Sequence, residues 1–240
     1  MSAIFMARGA NGVLAASDGV FYGPDGRVHG FGSKILLMPE CGAVMVAQGM
    51  GFLLPTLRFE IGFAAADFDR LKDILPSKFE EVIAWLRRES GVPTNGKLFL
   101  GGFSPGRARF ETYAISSQPE GDTPAYTLRP MAYAEGAPWP GAELRARYGL
   151  DDPAIVSDPF EIATRFMAGA RNTPCPMDQD LARSNFQVGG FVQVAMVTED
   201  GCSTSIIHRW PDHIGEMIDP ASGPNCASEV TGASSTESST

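Results

Sequence analysis

Histidine and paired cysteine are scarce in this 240-residue chain: three histidines, and four cysteines at positions 41, 175, 202 and 226 that form no C-x-x-C and no Cys/His cluster. Neither a disulfide scaffold nor a structural zinc site is expected from such spacing. Basic residues are also in short supply. Nineteen Lys and Arg against 28 Asp and Glu leave a formal net charge of −9, the wrong sign for neutralising phosphates, so no nucleic-acid partner is expected. No run reaches the ~20 apolar residues of a membrane helix, and Met1 to Arg8 lack the basic start and long apolar core of a secretory signal. The expectation is a cytoplasmic protein with no membrane partner. What is present suits a globular domain, with 44% hydrophobic and 20% charged residues, enough to bury a sizeable core.

Short apolar runs punctuated by Gly, Asn and Asp predict strands over Ala3 to Ala7, Val13 to Ser17, Lys34 to Met38 and Ala43 to Ala47, a β-meander in the first fifty residues. The period then changes. Phe52 to Ile61 fits a helix, and Ser77-Lys78-Phe79-Glu80 reads as a capping box for a second one running to Gly91. Strands follow at Lys97 to Phe103 and Arg107 to Ser116, with another at Tyr126 to Tyr133. Glu135 to Pro159 reads as a long irregular connection with a short helix near Gly141 to Tyr148. Asp158-Pro159 marks the start of a helix over Phe160 to Ala170. Gly190 to Thr198 and Ser203 to Arg209 form a closing pair of strands. This order predicts an α+β layer architecture with antiparallel sheets. The domain is expected over residues 2–215, with 216–240, rich in Ser, Thr, Gly and Pro, as a disordered tail.

Ser2 follows the initiator methionine, and a small second residue favours removal of Met1. A terminal serine places its hydroxyl beside its own α-amine, whose free pKa of about 7.7 to 8.0 suits it to act as the hydroxyl's base. Asp18 and Lys34 follow at two equal intervals of 16 residues. If the strands bring the three together, a buried lysine lowers the amine's pKa by like-charge repulsion and the aspartate keeps the lysine charged. The alternative reading of this pair is a surface salt bridge with no role.

The segments Ser2-Ala-Ile-Phe-Met-Ala-Arg-Gly-Ala-Asn-Gly-Val-Leu-Ala-Ala-Ser-Asp18-Gly19, Gly30-Phe-Gly-Ser-Lys34-Ile-Leu-Leu and Ala47-Gln48-Gly49 resemble the N-terminal nucleophile hydrolases of the proteasome β-subunit type, including the bacterial proteasome-like peptidases. Leu98 to Phe110 and Gly189 to Gly201 resemble later strands of that family. The resemblance implies a four-layer αββα sandwich of two antiparallel sheets. It also implies Ser2 in the place of the family's terminal threonine, with Asp18 and Lys34 as its acid and lysine. An oxyanion donor from the backbone at Gln48-Gly49 is implied too. The family's supporting acid and serine fall on Asn185 and Val188, and its Gly-Ser-Gly turn is replaced near Glu135-Gly136-Ala137. Peptide or small-amide substrates, a homo-oligomeric ring and an unfoldase partner are further implications, and the chemistry calls for no metal or organic cofactor. A non-catalytic scaffold or interaction subunit of the same fold is the competing expectation.

Overall fold

A computed structural model describes residues 2–151, 158–177 and 180–224. Two five-stranded antiparallel sheets form its centre. The first has the order β10-β1-β2-β13-β14, built from β1 (Ile4–Arg8), β2 (Gly12–Asp18), β10 (Ala134–Ala137), β13 (Phe191–Thr198) and β14 (Gly201–Arg209). The second runs β5-β6-β7-β8-β9, from β5 (Ile35–Met38), β6 (Ala43–Gln48), β7 (Lys97–Ser104), β8 (Arg109–Ser116) and β9 (Arg129–Pro130). Two short ribbons stand apart from them, β3 (Val20–Tyr22) with β4 (Val28–Phe31), and β11 (Cys175–Met177) with β12 (Asp180–Asn185).

The layering follows from alternation along the strands, whose successive side chains point to opposite faces. In β1, Phe5 and Ala7 pack with Ile162 and Phe166 of α4 (Pro159–Arg171), whereas Ile4 and Met6 pack with Val44, Val46 and Phe99 of the other sheet. β6 mirrors this. Its Val44 and Val46 enter the space between the sheets, while Met45 joins Leu57, Phe79 and Ile83 of α1 (Leu53–Ile61) and α2 (Phe68–Ser90). Because both faces of these strands are buried, they read as unbroken apolar runs rather than alternating ones. With α3 (Ala142–Tyr148) beside α4 on the first sheet, the result is the expected four-layer αββα sandwich. Among the described residues no helix is long and apolar enough to cross a membrane.

Several local expectations change. The first fifty residues do not form one meander: β1 and β2 pair in the first sheet, β5 and β6 in the second, with the β3–β4 ribbon between them in sequence. Alternation alone cannot assign a strand to a sheet, and both sheets here present buried faces. The second helix begins at Phe68, where Asp67 caps it by accepting from Arg70 N–H at 2.8 Å. Pro76 lies inside it, and the Ser77 hydroxyl donates to the Ile74 carbonyl instead of capping. The strand expected over Tyr126 to Tyr133 shrinks to two residues, preceded by Tyr126 at φ 60°, a left-handed conformation outside any strand. Conversely, Ala134–Ala137 is an ordered strand paired with β1 where an irregular connection was expected.

Residues 216–224 also depart from the tail expected there. Val28 N–H bonds the Glu216 carbonyl, Met217 pairs with Arg27, and Ile218 is buried with Val20 and Val28. Arg171 ties them down further by donating to the Asp219 carbonyl at 2.9 Å. The packed body therefore extends beyond residue 215, and residues 225–240 lie outside the described ones.

Candidate active site

Antiparallel pairing of β1 and β2 puts the end of one opposite the start of the other. Asp18, last residue of β2, consequently meets the chain's beginning: its N–H donates to the Ala3 carbonyl, and its Oδ1 accepts from Ala3 N–H at 2.9 Å. The other sheet supplies Lys34, immediately before β5. Its Nζ lies 2.8 Å from Asp18 Oδ2. Asp18 is fully buried and Lys34 is 5% exposed, so this is an interior ion pair spanning the mouth of the sandwich, not the surface bridge weighed as the alternative. Val20 N–H at 3.2 Å and Gly189 N–H at 3.4 Å complete the ring of donors around Oδ2.

A buried ion pair is tolerable only when its remaining valences are satisfied. Asp18 meets that condition through three backbone N–H groups. Lys34 is supported differently, since among the described residues its Nζ donates one hydrogen bond, to Asp18, and lies 5.4 Å from the centre of the Phe21 ring, within reach of the ring's negative face. Burial pushes the Lys34 ammonium below the ordinary lysine value, and the Asp18 carboxylate opposes that by favouring the charged form.

Ser2 and Lys34 line the same small cleft with Phe21, Ala47, Gly49 and Met50. Ser2 is 7% exposed. Gln48, last residue of β6, crosses to the first sheet, where its side-chain Nε2 donates to the carbonyls of Ser2 and of Ala137 in β10. Its amide thus clamps Ser2 against two strands, and its own side chain is not free to serve as a donor to a substrate. Gly49 follows at φ 136°, and a Cβ built there would lie 2.9 Å from the Asn95 carbonyl, so glycine is required both for conformation and for space. A groove of about 610 Å³ leads away from this point, bordered by Tyr22, Gln48, Gly49, Met50, Asn95 and Gln118.

Five of the six predicted site residues therefore gather: Ser2, Asp18, Lys34, Gln48 and Gly49. Asn185 is not among the residues that line the cleft. It is buried at the end of β12 against Gly26 in the β3–β4 turn, and its amide forms no hydrogen bond among the described residues. Sequence reasoning missed Phe21, the clamp made by the Gln48 side chain, and Gly189. Phe21 has no motif of its own. Its one signal is the pair Gly32 and Gly51, spaces that the ring fills.

Two sheets face to face with a helical pair on each outer side make a four-layer αββα fold, and solved structures of other proteins share it. No protein-family model and no curated protein matches the sequence. Among solved structures, the chain is similar to the Anbu (Gly-1) mutant from Hyphomicrobium sp. strain MC1, with TM-score 0.61 and 16% identity over 97% of this chain and 94% of that one. It is also similar to Anbu, described as an ancestral beta-subunit, from Yersinia bercovieri, with TM-score 0.56 and 18% identity over 86% and 87% of the two chains.

Proposed function

We propose that this chain hydrolyses amide bonds, peptide bonds foremost, with Ser2 as an N-terminal nucleophile exposed by removal of Met1. The observation that carries this reading is the double use of one buried carboxylate: Asp18 Oδ1 holds Ala3 N–H and Oδ2 holds the Lys34 ammonium, and Lys34 lines a cleft with Ser2. Ser2 Oγ attacks the substrate carbonyl carbon while the α-amine accepts the hydroxyl proton. The ammonium of Lys34 disfavours a second positive charge nearby, which keeps that amine in its basic form near neutral pH. Backbone N–H groups at Gln48-Gly49 receive the developing oxyanion. The protonated amine then delivers its proton to the leaving nitrogen as the C–N bond breaks, leaving an ester on Ser2. Water, deprotonated by the same amine, cleaves the ester and restores Ser2. Every step uses groups of this chain and water, and no cofactor enters it.

A homo-oligomer is consistent with the likeness to a protein described as a beta-subunit. A ring with an unfoldase partner extends the same reading, as does the cytoplasm as its place of action. The non-catalytic reading draws on one observation: Asn185, where the family has a supporting acid, is buried with an amide that forms no hydrogen bond among the described residues. Turnover of a fluorogenic peptide amide by the Met1-free protein, compared with Ser2→Ala, separates the two. Hydrolysis lost with Ser2→Ala supports the hydrolase; equal signal from both proteins refutes it.

A further inference from the structure

We infer that Phe21 is a fixed plug limiting the substrate, at the residue whose carbonyl Ser2 attacks, to a side chain no larger than a methyl group: glycine or alanine. The inference rests on the hydrolase reading above and narrows it to a substrate class. The cleft shared by Ser2 and Lys34 has a volume of about 20 Å³, little more than the ~10–15 Å³ that one water requires. Phe21, Ala47, Met50, Leu53 and Leu54 line it together with Ser2, Ser33 and Lys34.

Two glycines hold that ring in place. A Cβ at Gly32 would lie 2.7 Å from Phe21 Cε2, and one at Gly51 would lie 3.1 Å from Cε1. The ring is thus wedged between the segment leading to Lys34 and the turn leading into α1, with Nζ of Lys34 5.4 Å from its centre. Packed interiors resist displacement of this kind. Swinging the ring aside to admit a leucine or phenylalanine would forfeit its contacts on both glycines and on the ammonium together. The wider groove beyond Gly49 has room for the rest of a peptide, so selection is confined to one position.

The test uses the full chain, with Met1 loss verified by mass, and peptide amides that differ only in the residue before the scissile bond: Gly, Ala, Val, Leu or Phe. Glycine and alanine should exceed leucine and phenylalanine in kcat/KM by at least about tenfold, as expected for methylene-sized discrimination in an apolar pocket. Phe21→Ala should reverse the ranking in favour of leucine, and Phe21→Leu, which keeps an apolar filler should the smaller variant fail to fold, should admit valine. Leucine cleaved as fast as alanine by the unaltered protein, or a ranking unmoved in the folded Phe21 variants, overturns this inference while leaving the hydrolase intact. Absence of turnover for all five substrates overturns the hydrolase reading and this inference with it.

Discussion

Two interior ion pairs of similar burial behave as opposites. Arg171 and Asp212, with side chains 3% and 2% exposed, are bonded bidentately at 2.9 Å. The guanidinium also donates to the carbonyls of Val188 and Asp219 and lies 4.6 Å from the Trp210 ring centre, while Asp212 accepts from Gly190 N–H. The planar fork of arginine meets fixed partners through both terminal nitrogens, while its Nε has no hydrogen-bond partner among the described residues. That pair ties the closing segment of the body to α4 and the Gly189-Gly190 turn. Lys34 and Asp18 divide the work unequally: the carboxylate accepts from three backbone N–H groups, whereas the ammonium has one hydrogen-bond partner among the described residues and borders a cleft. Two terminal nitrogens held on several acceptors make a brace, and a cation with one hydrogen-bond partner beside an opening is the one the proposed hydrolysis calls on.

Substituting the cation in each pair tests this contrast. The largest effect expected is on turnover: Lys34→Met should slow hydrolysis by about 10²–10⁴-fold, the range of a lost contribution to general base catalysis, while the three backbone donors on Asp18 keep the protein folded. Arg171→Met should do the reverse. It strands Asp212 and costs about 3–5 kcal/mol of stability, the usual penalty for breaking a buried pair, read as a lower urea midpoint, while the folded protein retains its rate. Should Lys34→Met unfold the chain with activity per folded molecule unchanged, the two pairs would be alike and the contrast void.

The Gln48 clamp is worth less. Gln48→Ala leaves the carbonyls of Ser2 and Ala137 without their donor, a cost of about 1–3 kcal/mol. A rise in KM with kcat untouched would argue against a role in orienting Ser2. Smallest is the pH effect of a network far from the cleft. Burial raises the Glu111 pKa, but hydrogen bonds from Arg107, Tyr113 and Arg109 outweigh it and hold the carboxyl at about 2 instead of 4.5. A depressed folded-state pKa gives stability that is present in full above 4.5 and lost as pH falls towards 2. Glu111→Gln should therefore flatten the acid limb of a stability–pH curve across that window and leave the rate near neutrality unaltered. An unflattened limb would remove Glu111 from the account of acid sensitivity.

The sandwich was legible in the sequence because its strands are buried on both faces and separated by strong turn residues, so Ala3 to Ala7, Ala43 to Ala47 and Gly190 to Thr198 stand out as apolar runs. Ser2, Asp18 and Lys34 were legible for a different reason: sequence spacing survives even when the sheet assignment is wrong, since Lys34 arrives from the second sheet and not from a third strand of a meander. Pairing between distant segments was hidden. Ala134–Ala137 is a short run containing Glu and Gly whose strand state depends on β1, and the packing of 216–219 depends on the β3–β4 ribbon. Local propensity carries neither fact. Asn185 was placed by likeness alone.

The central claim is that Ser2, freed at its own nitrogen, is made reactive by the ammonium of Lys34. Intact mass before and after treatment with a serine-reactive covalent inhibitor tests it most directly. The account predicts loss of Met1 and one inhibitor adduct, mapped to Ser2, that is absent from folded Lys34→Met. Retained Met1, or a folded, Met1-free protein that takes no label at Ser2, would contradict it.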